Sequence, residues 1–154
     1  MLYGIDSLLD GKLLDLLHQM GHGDELLIAD ANYPSHSRAR HIVSIPGSFS
    51  PDVLAAIRTV IPADAYEGPS VLLMQSEQDT LLQVQNELIE AASVETERVE
   101  LLDRFDFYEK ADGAFLTIRT GEARTYANVI LRKGVVPVSS ALNRPAPTVG
   151  PKAS

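Results

Sequence analysis

Two polar segments of this chain contain residues that can exchange protons. The first, residues 20–37, places His22 and Asp30 on either side of the apolar stretch 26–29, which is typical of a buried strand. The second, residues 120–128, reads TGEARTYAN and precedes another apolar run. Histidine titrates near neutral pH and can act as acid or base. We expect the two segments to form one pocket. The chain must turn back to gather them, because an extended strand would hold the polar residues at its two ends about 20 Å apart.

Length and composition predict one folded domain without thiol chemistry. The chain has 154 residues, of which 45% are hydrophobic and 22% charged, and it has no cysteine. Its 21 acidic and 13 basic residues give a net charge of −8, which would repel a phosphate backbone and argues against nucleic acid as a partner. No apolar run approaches the roughly 18 to 20 residues of a membrane helix. Asp6 and Asp10 stand where a signal peptide would be apolar, so we expect a cytoplasmic protein.

Helical and strand patterns alternate along the chain in the order α, β, β, α, β, α, β, α, β, β. The bounded elements are helix 8–20, strand 26–29, helix 50–61 capped by Ser50, strand 70–75, helix 80–92, strand 98–102 and a helix that begins near Asp103. This alternation predicts an α/β domain with a mixed sheet covered by helices and with ligand sites off the strand ends. We assign the domain to residues 1–137. Residues 138–154 are proline-rich and lack acids, which predicts a flexible tail.

The chain resembles the sugar mutarotases of the ribose pyranase and fucose mutarotase type. Four motifs carry the resemblance in the same order, and they are MGHGDE at 20–25, Asp30 with PSHS at 34–37, RFDFYEKA at 104–111, and TGE at 120–122 leading to YAN at 126–128 and KGV at 133–135. Gly23 and Arg104 resemble the fucose branch, since the ribose branch usually has threonine and histidine there. The resemblance implies a three-layer sandwich with a mixed, mainly parallel sheet.

The family resemblance also assigns roles to individual residues. His22 would be the catalytic proton donor. The residues that it implies for sugar binding are Asp30, Arg104, Tyr126, Ala127 through its backbone, and Asn128, with His36, Tyr108 and Glu122 as further candidates. The resemblance implies no metal and no cofactor. It implies a closed ring of identical subunits, often a decamer, in which each sugar site is completed at a subunit boundary.

The activity implied by the resemblance is a carbohydrate isomerase reaction. A free pyranose, L-fucose in the first instance, would interconvert its α and β anomers by opening to the aldehyde and closing on the other face. One group protonates the ring oxygen while another removes the anomeric hydroxyl proton, so general acid and base catalysis suffices. Two alternatives stay open: a ribose-type pyranase that interconverts pyranose and furanose rings, and a sugar-binding or transport-associated protein without catalysis.

Structural roles are the competing interpretation for several of these residues. His22 could bond the last carbonyls of a helix, where a cation is favoured by the dipole. His18 and His22 are four residues apart, but no His-Glu-x-x-His pattern surrounds them and Gly21 ends the helix between them, which argues against zinc. Tyr126 and Asn128 would share one face if they lie in a strand, so both can reach one ligand.

Overall fold

The computed structural model describes residues 1–138. The predicted tail, residues 138–154, therefore lies outside the described residues except for Val138. The helices are α1 (Gly11–Gln19), α2 (Ser35–Arg38), α3 (Ser50–Arg58), α4 (Gln83–Ala92) and α5 (Arg104–Asp112). The strands are β1 (Glu25–Ala29), β2 (Ile42–Ile45), β3 (Val71–Met74), β4 (Val99–Leu102), β5 (Leu116–Thr120) and β6 (Val129–Arg132). The predicted order of elements is confirmed, with the one-turn helix α2 added.

The six strands form one mixed sheet in the order β2-β5-β1-β6-β3-β4. The pairs β2·β5, β5·β1 and β3·β4 are parallel, whereas β6 is antiparallel to both of its neighbours, β1 and β3. Five strands therefore run in the same direction and only β6 is reversed. As a result, the carboxyl ends of β1 to β5 and the start of β6 meet at one edge of the sheet, where α/β proteins usually bind ligands.

Helices cover both faces of the sheet, which confirms the predicted α/β sandwich. Alternate strand residues point to opposite faces, so Leu26 and Ile28 of β1 join one core whereas Leu27 and Ala29 join the other. Apolar residues of α1, α3 and α4 fill the first core, and Phe107 of α5 packs in the second. No helix within residues 1–138 is long and apolar enough to cross a membrane.

Helix starts differ from the predicted positions where another residue makes the better cap. The first helix begins at Gly11 rather than at the predicted residue 8, and the carboxylate of Asp10 before it accepts the backbone N–H of Leu13 at 2.8 Å. The predicted cap Ser50 is instead the first residue of α3. Its buried hydroxyl bonds the hydroxyl of Thr120 at 3.1 Å, and thus ties the helix to the end of β5.

Candidate sugar-binding site

A cleft of about 200 Å³ opens at the edge of the sheet where β1, β3 and β4 end. This is smaller than the roughly 300 to 1,000 Å³ of pockets for drug-sized ligands, and it suits a small polar molecule. Its lining residues come from the ends of β1 and β3, the first turns of α5, and the segment before β6. They are Asp30, Asn32, Tyr33, Met74, Arg104, Tyr108, Thr125, Tyr126 and Asn128.

A buried carboxylate forms the floor of the cleft. One oxygen of Asp30 accepts the backbone N–H groups of Asn32 and Tyr33 at 2.9 Å each, and the other accepts the side-chain amide of Asn128 at 2.8 Å. Burial raises the pKa of Asp30 above its usual value, although these hydrogen bonds act in the opposite direction. Asp30 can therefore accept hydrogen bonds from a sugar when ionised, and it takes up a proton more readily than an ordinary aspartate.

Aromatic rings and cations form one wall. Tyr33 and Tyr108 stack with their ring centroids 5.2 Å apart, and burial raises the pKa of Tyr33 to about 12. The guanidinium groups of Arg38 and Arg104 lie 4.7 and 5.7 Å from the centre of the Tyr108 ring. Arg38 also makes a bidentate ion pair with Asp112, at 2.8 and 2.6 Å, which ties α2 to α5. Both stacked rings are thus fixed before any ligand binds.

Tyr126 has an unusual backbone conformation at the rim of the cleft. Its φ of 62° lies in the left-handed region, which bulky residues rarely adopt. It stands in the turn between β5 and β6, so Tyr126 and Asn128 do not lie in one strand, but both residues line the cleft. Ala127 between them is fully buried. Strained residues of this kind are concentrated at functional sites.

His22 lies at the opposite end of β1, beyond its amino end. Its Nε2 is 3.1 Å from Oδ1 of Asp64, a buried residue that also accepts the backbone N–H of Tyr66 and lies 3.3 Å from Nε of Arg132. The His22 side chain is 47% exposed, and its ring meets the Tyr66 ring edge-on. Asp64 thus holds the ring through Nε2. The arrangement is an oriented imidazole at the surface.

Three neighbouring groups keep the Asp64 carboxyl ionised. Burial alone would raise the pKa of the Asp64 carboxyl, but the Tyr66 N–H, the contact with His22 and the charge of Arg132 together hold that pKa below its usual value.

Within residues 1–138, no group of three His, Asp or Glu side chains gathers closely enough to hold a metal ion.

Comparison with known proteins identifies the family. Residues 3–136 match the RbsD / FucU transport protein family. The chain belongs to this family. Among solved structures, the fucose mutarotase of Streptococcus pneumoniae in complex with L-fucose is 36% identical, with a TM-score of 0.82 over 88% of this chain and 100% of that one. FucU from Bifidobacterium longum is 35% identical, with a TM-score of 0.78 over 87% and 99% of the two chains.

The likeness to the ribose branch is weaker. Bacillus subtilis RbsD complexed with D-ribose is 25% identical and has a TM-score of 0.68 over 84% of this chain and 95% of that one. The predicted resemblance to the fucose branch of the RbsD/FucU family is thereby confirmed.

The fold of this RbsD/FucU protein gathers most of the predicted residues but leaves some apart. Those in the cleft are Asp30, Arg104, Tyr108, Tyr126 and Asn128. Glu122 is buried, is not among the residues that line the cleft, and is bonded to Arg124. His36 is exposed on α2, and His22 is at the other end of the sheet.

Sequence reasoning missed several residues at both ends of the sheet. Asn32, Tyr33 and Thr125 line the cleft, and their positions close to Asp30 or Tyr126 in the sequence could have indicated them. Met74 is the last residue of β3, so its place at a strand end also pointed to the site. Asp64 had no such signal, because it reaches His22 only through pairing of its loop with the end of β6.

Proposed function

We propose that this protein is a mutarotase that interconverts the α and β anomers of a free pyranose, with L-fucose as its substrate. The observation that carries the proposal is the cleft itself, in which a buried carboxylate faces an arginine, a tyrosine and an amide in a chain 36% identical to a fucose mutarotase that binds L-fucose. Carboxylate, amide and guanidinium groups can accept hydrogen bonds from the hydroxyl groups of a sugar or donate hydrogen bonds to them. Ring opening needs only two proton transfers, for which side chains suffice.

The apolar part of the cleft supports a deoxy-sugar. Met74 is 5% exposed and lines the cleft beside the Tyr33 and Tyr108 rings. L-Fucose carries a methyl group where the related hexose L-galactose carries a hydroxymethyl group. A thioether and two ring faces favour the methyl group, because burying an unpaired hydroxyl is costly.

His22 is the proposed proton donor to the ring oxygen. In a single chain it is separated from the cleft by the length of β1, and no imidazole lines the cleft among the described residues. We therefore propose that each site combines the cleft of one copy with His22 of a neighbouring copy. Such a contact between different surfaces generates a closed ring when the rotation between copies closes, and the family resemblance favours a ring-like decamer.

The proposed reaction uses residues of both copies. Asp30 and Asn128 would hold the sugar hydroxyls, Arg104 and Tyr126 would orient the ring, and His22 would give a proton to the ring oxygen during opening. Asp64 would keep the imidazole oriented and would stabilise its protonated form. A group on the cleft side would take the anomeric hydroxyl proton, and Asp30 is the buried base available there.

Anomer exchange measured by NMR saturation transfer on L-fucose tests the proposal. We expect the wild-type protein to accelerate exchange and His22→Ala to lose roughly 10²-fold of that rate with its fold intact. His36→Ala is the matched control, because His36 is exposed on α2 away from the lining. Full occupancy by L-fucose without acceleration would identify a sugar-binding protein instead, and faster exchange of D-ribose would favour a pyranase.

A further inference from the structure

Arg124 joins the segment that carries Tyr126 to two other parts of the chain. Its Nε and Nη2 donate to the two carboxylate oxygens of Glu122 at 3.0 and 2.9 Å, and its backbone N–H donates to Glu122 at 3.0 Å. Its third nitrogen, Nη1, lies 2.8 Å from a carboxylate oxygen of Glu87 on α4. One guanidinium thus bridges a carboxylate of its own turn and a carboxylate of the neighbouring helix. We call Glu87, Glu122 and Arg124 the clamp.

The clamp is anchored in the body of the protein. The Glu122 side chain is 1% exposed, and the Glu122 backbone carbonyl accepts the N–H of Ala31, the residue after Asp30, at 2.8 Å. The Glu122 N–H donates to the hydroxyl of Thr120. The hydrogen bonds from Arg124 hold the pKa of Glu122 below its usual value. The carboxylate therefore stays charged and paired at neutral pH.

Tyr126 stands between the clamp and a second fixed point. On its carboxyl side, Asn128 is bonded twice to Asp30. On its amino side, Arg124 is held by both carboxylates of the clamp. A tyrosine with a φ of 62° keeps that conformation only if its surroundings impose it. The two anchors are the interactions that impose it here.

We infer that Arg124 is a positioning residue: through Glu122 and Glu87 it holds Tyr126 in the left-handed conformation that directs its side chain into the sugar cleft. This inference rests on the proposed function. Arg124 does not itself line the cleft, so its effect on a bound sugar passes through Tyr126. Arginine suits the role because its planar fork can bind two carboxylates at once, whereas a lysine ammonium is a single point charge.

A double-mutant cycle on anomer exchange of L-fucose separates positioning from general stability. We expect Arg124→Gln to lower kcat/KM on the order of 10-fold, since small misplacements of a binding group are costly. In a Tyr126→Phe background the same change should cost less than about twofold, because the Tyr126 hydroxyl that binds the sugar has already been removed. Glu87→Gln keeps the Glu122 contact and should show a smaller loss. Arg124→Lys should fall between Arg124→Gln and wild type.

Controls and a function-independent measurement complete the test. Arg40→Gln removes an exposed arginine outside the cleft and should leave kcat/KM unchanged. An equal fold-loss from Arg124→Gln in both backgrounds, or no loss when Arg124→Gln is the only substitution, would overturn the positioning role. If the wild-type protein does not accelerate exchange, the proposed function fails and a crystal structure of Arg124→Gln decides the inference. Tyr126 should have left the left-handed region, and an unchanged φ would overturn the role.

Discussion

Asp30 and Asn128 hydrogen-bond to each other twice, at 2.8 Å for each bond, although 98 residues separate them in the sequence. The Asn128 side-chain carbonyl accepts the Asp30 backbone N–H, while its amide group donates to the Asp30 carboxylate. Both residues are buried, so each satisfies polar atoms that would otherwise be unpaired. The pair joins the end of β1 to the start of β6 and fixes the floor of the cleft.

Removing Asn128 tests that pair. We expect Asn128→Ala to reduce the free energy of unfolding by about 1 to 3 kcal/mol, because it leaves one buried carboxylate oxygen of Asp30 and the buried Asp30 N–H without partners. Affinity for L-fucose should fall as well. Chemical denaturation and calorimetric titration provide the two measurements. Asn86→Ala, on the exposed face of α4, is the matched control and should change neither by more than the error. Equal effects of both variants would contradict the role of the pair.

The apolar side of the cleft should set the preference for a deoxy-sugar. We expect the wild-type protein to favour L-fucose over L-galactose in kcat/KM, by up to roughly 10²-fold, since an apolar pocket rejects an added hydroxyl only to that extent. Met74→Gln offers a hydrogen-bonding group of similar length and should narrow the ratio. Competing exchange assays with the two sugars measure it. A ratio that does not change in Met74→Gln would place the sugar methyl group elsewhere.

As the pH is lowered from neutral, sugar binding should be lost before the protein unfolds. Asp64 and Glu122 have pKa values below their usual ones, so the stability they contribute is present above the unfolded-state pKa and is lost only as pH falls through the lower folded-state values. Burial raises the pKa of Asp30, so its ionised form is lost first as the pH is lowered. Its contribution to stability has the opposite sign, since that contribution is lost as pH rises through the raised value.

Affinity for L-fucose and the melting temperature, each measured from neutral pH downward, check this order. We expect affinity to fall while the melting temperature is still near its neutral value. In Asp30→Asn the acid limb of the affinity profile should disappear, because the titrating group is absent. Affinity and melting temperature that fall together in the wild type would show that binding is lost by unfolding.

Asp64 should affect the rate more than the sugar affinity. Asp64→Asn keeps a hydrogen-bonding side chain beside His22 but removes the charge that stabilises the imidazolium. We expect a loss in kcat of about 10-fold or more, smaller than that of His22→Ala, with little change in affinity because Asp64 contacts His22 and is not one of the residues that line the cleft. Asp15→Asn on α1 is the matched control. A loss of affinity equal to the loss of rate would argue against this separation.

Periodicity in the sequence predicted the elements and the α/β class, because the spacing of apolar residues shows which sides of each helix and strand are buried. The placement of Asp30 and Asn128 at strand ends was equally visible. The separation of His22 from Asp30 followed from the length of β1, but the contact between His22 and Asp64 depends on how a loop 42 residues away pairs with β6. The left-handed conformation of Tyr126 was not visible either, because anchors on both sides impose it rather than its own preference.

The central claim is that His22 of one copy acts on a sugar held in the cleft of another, and mixed oligomers test it most directly. His22→Ala and Asp30→Asn chains, each weakly active alone, are unfolded together in equal amounts and refolded. If the site is shared, about a quarter of the sites in the mixture should combine an intact His22 with an intact Asp30, so the exchange rate should rise to roughly a quarter of wild type. A mixture no more active than the average of the two variants would contradict the claim.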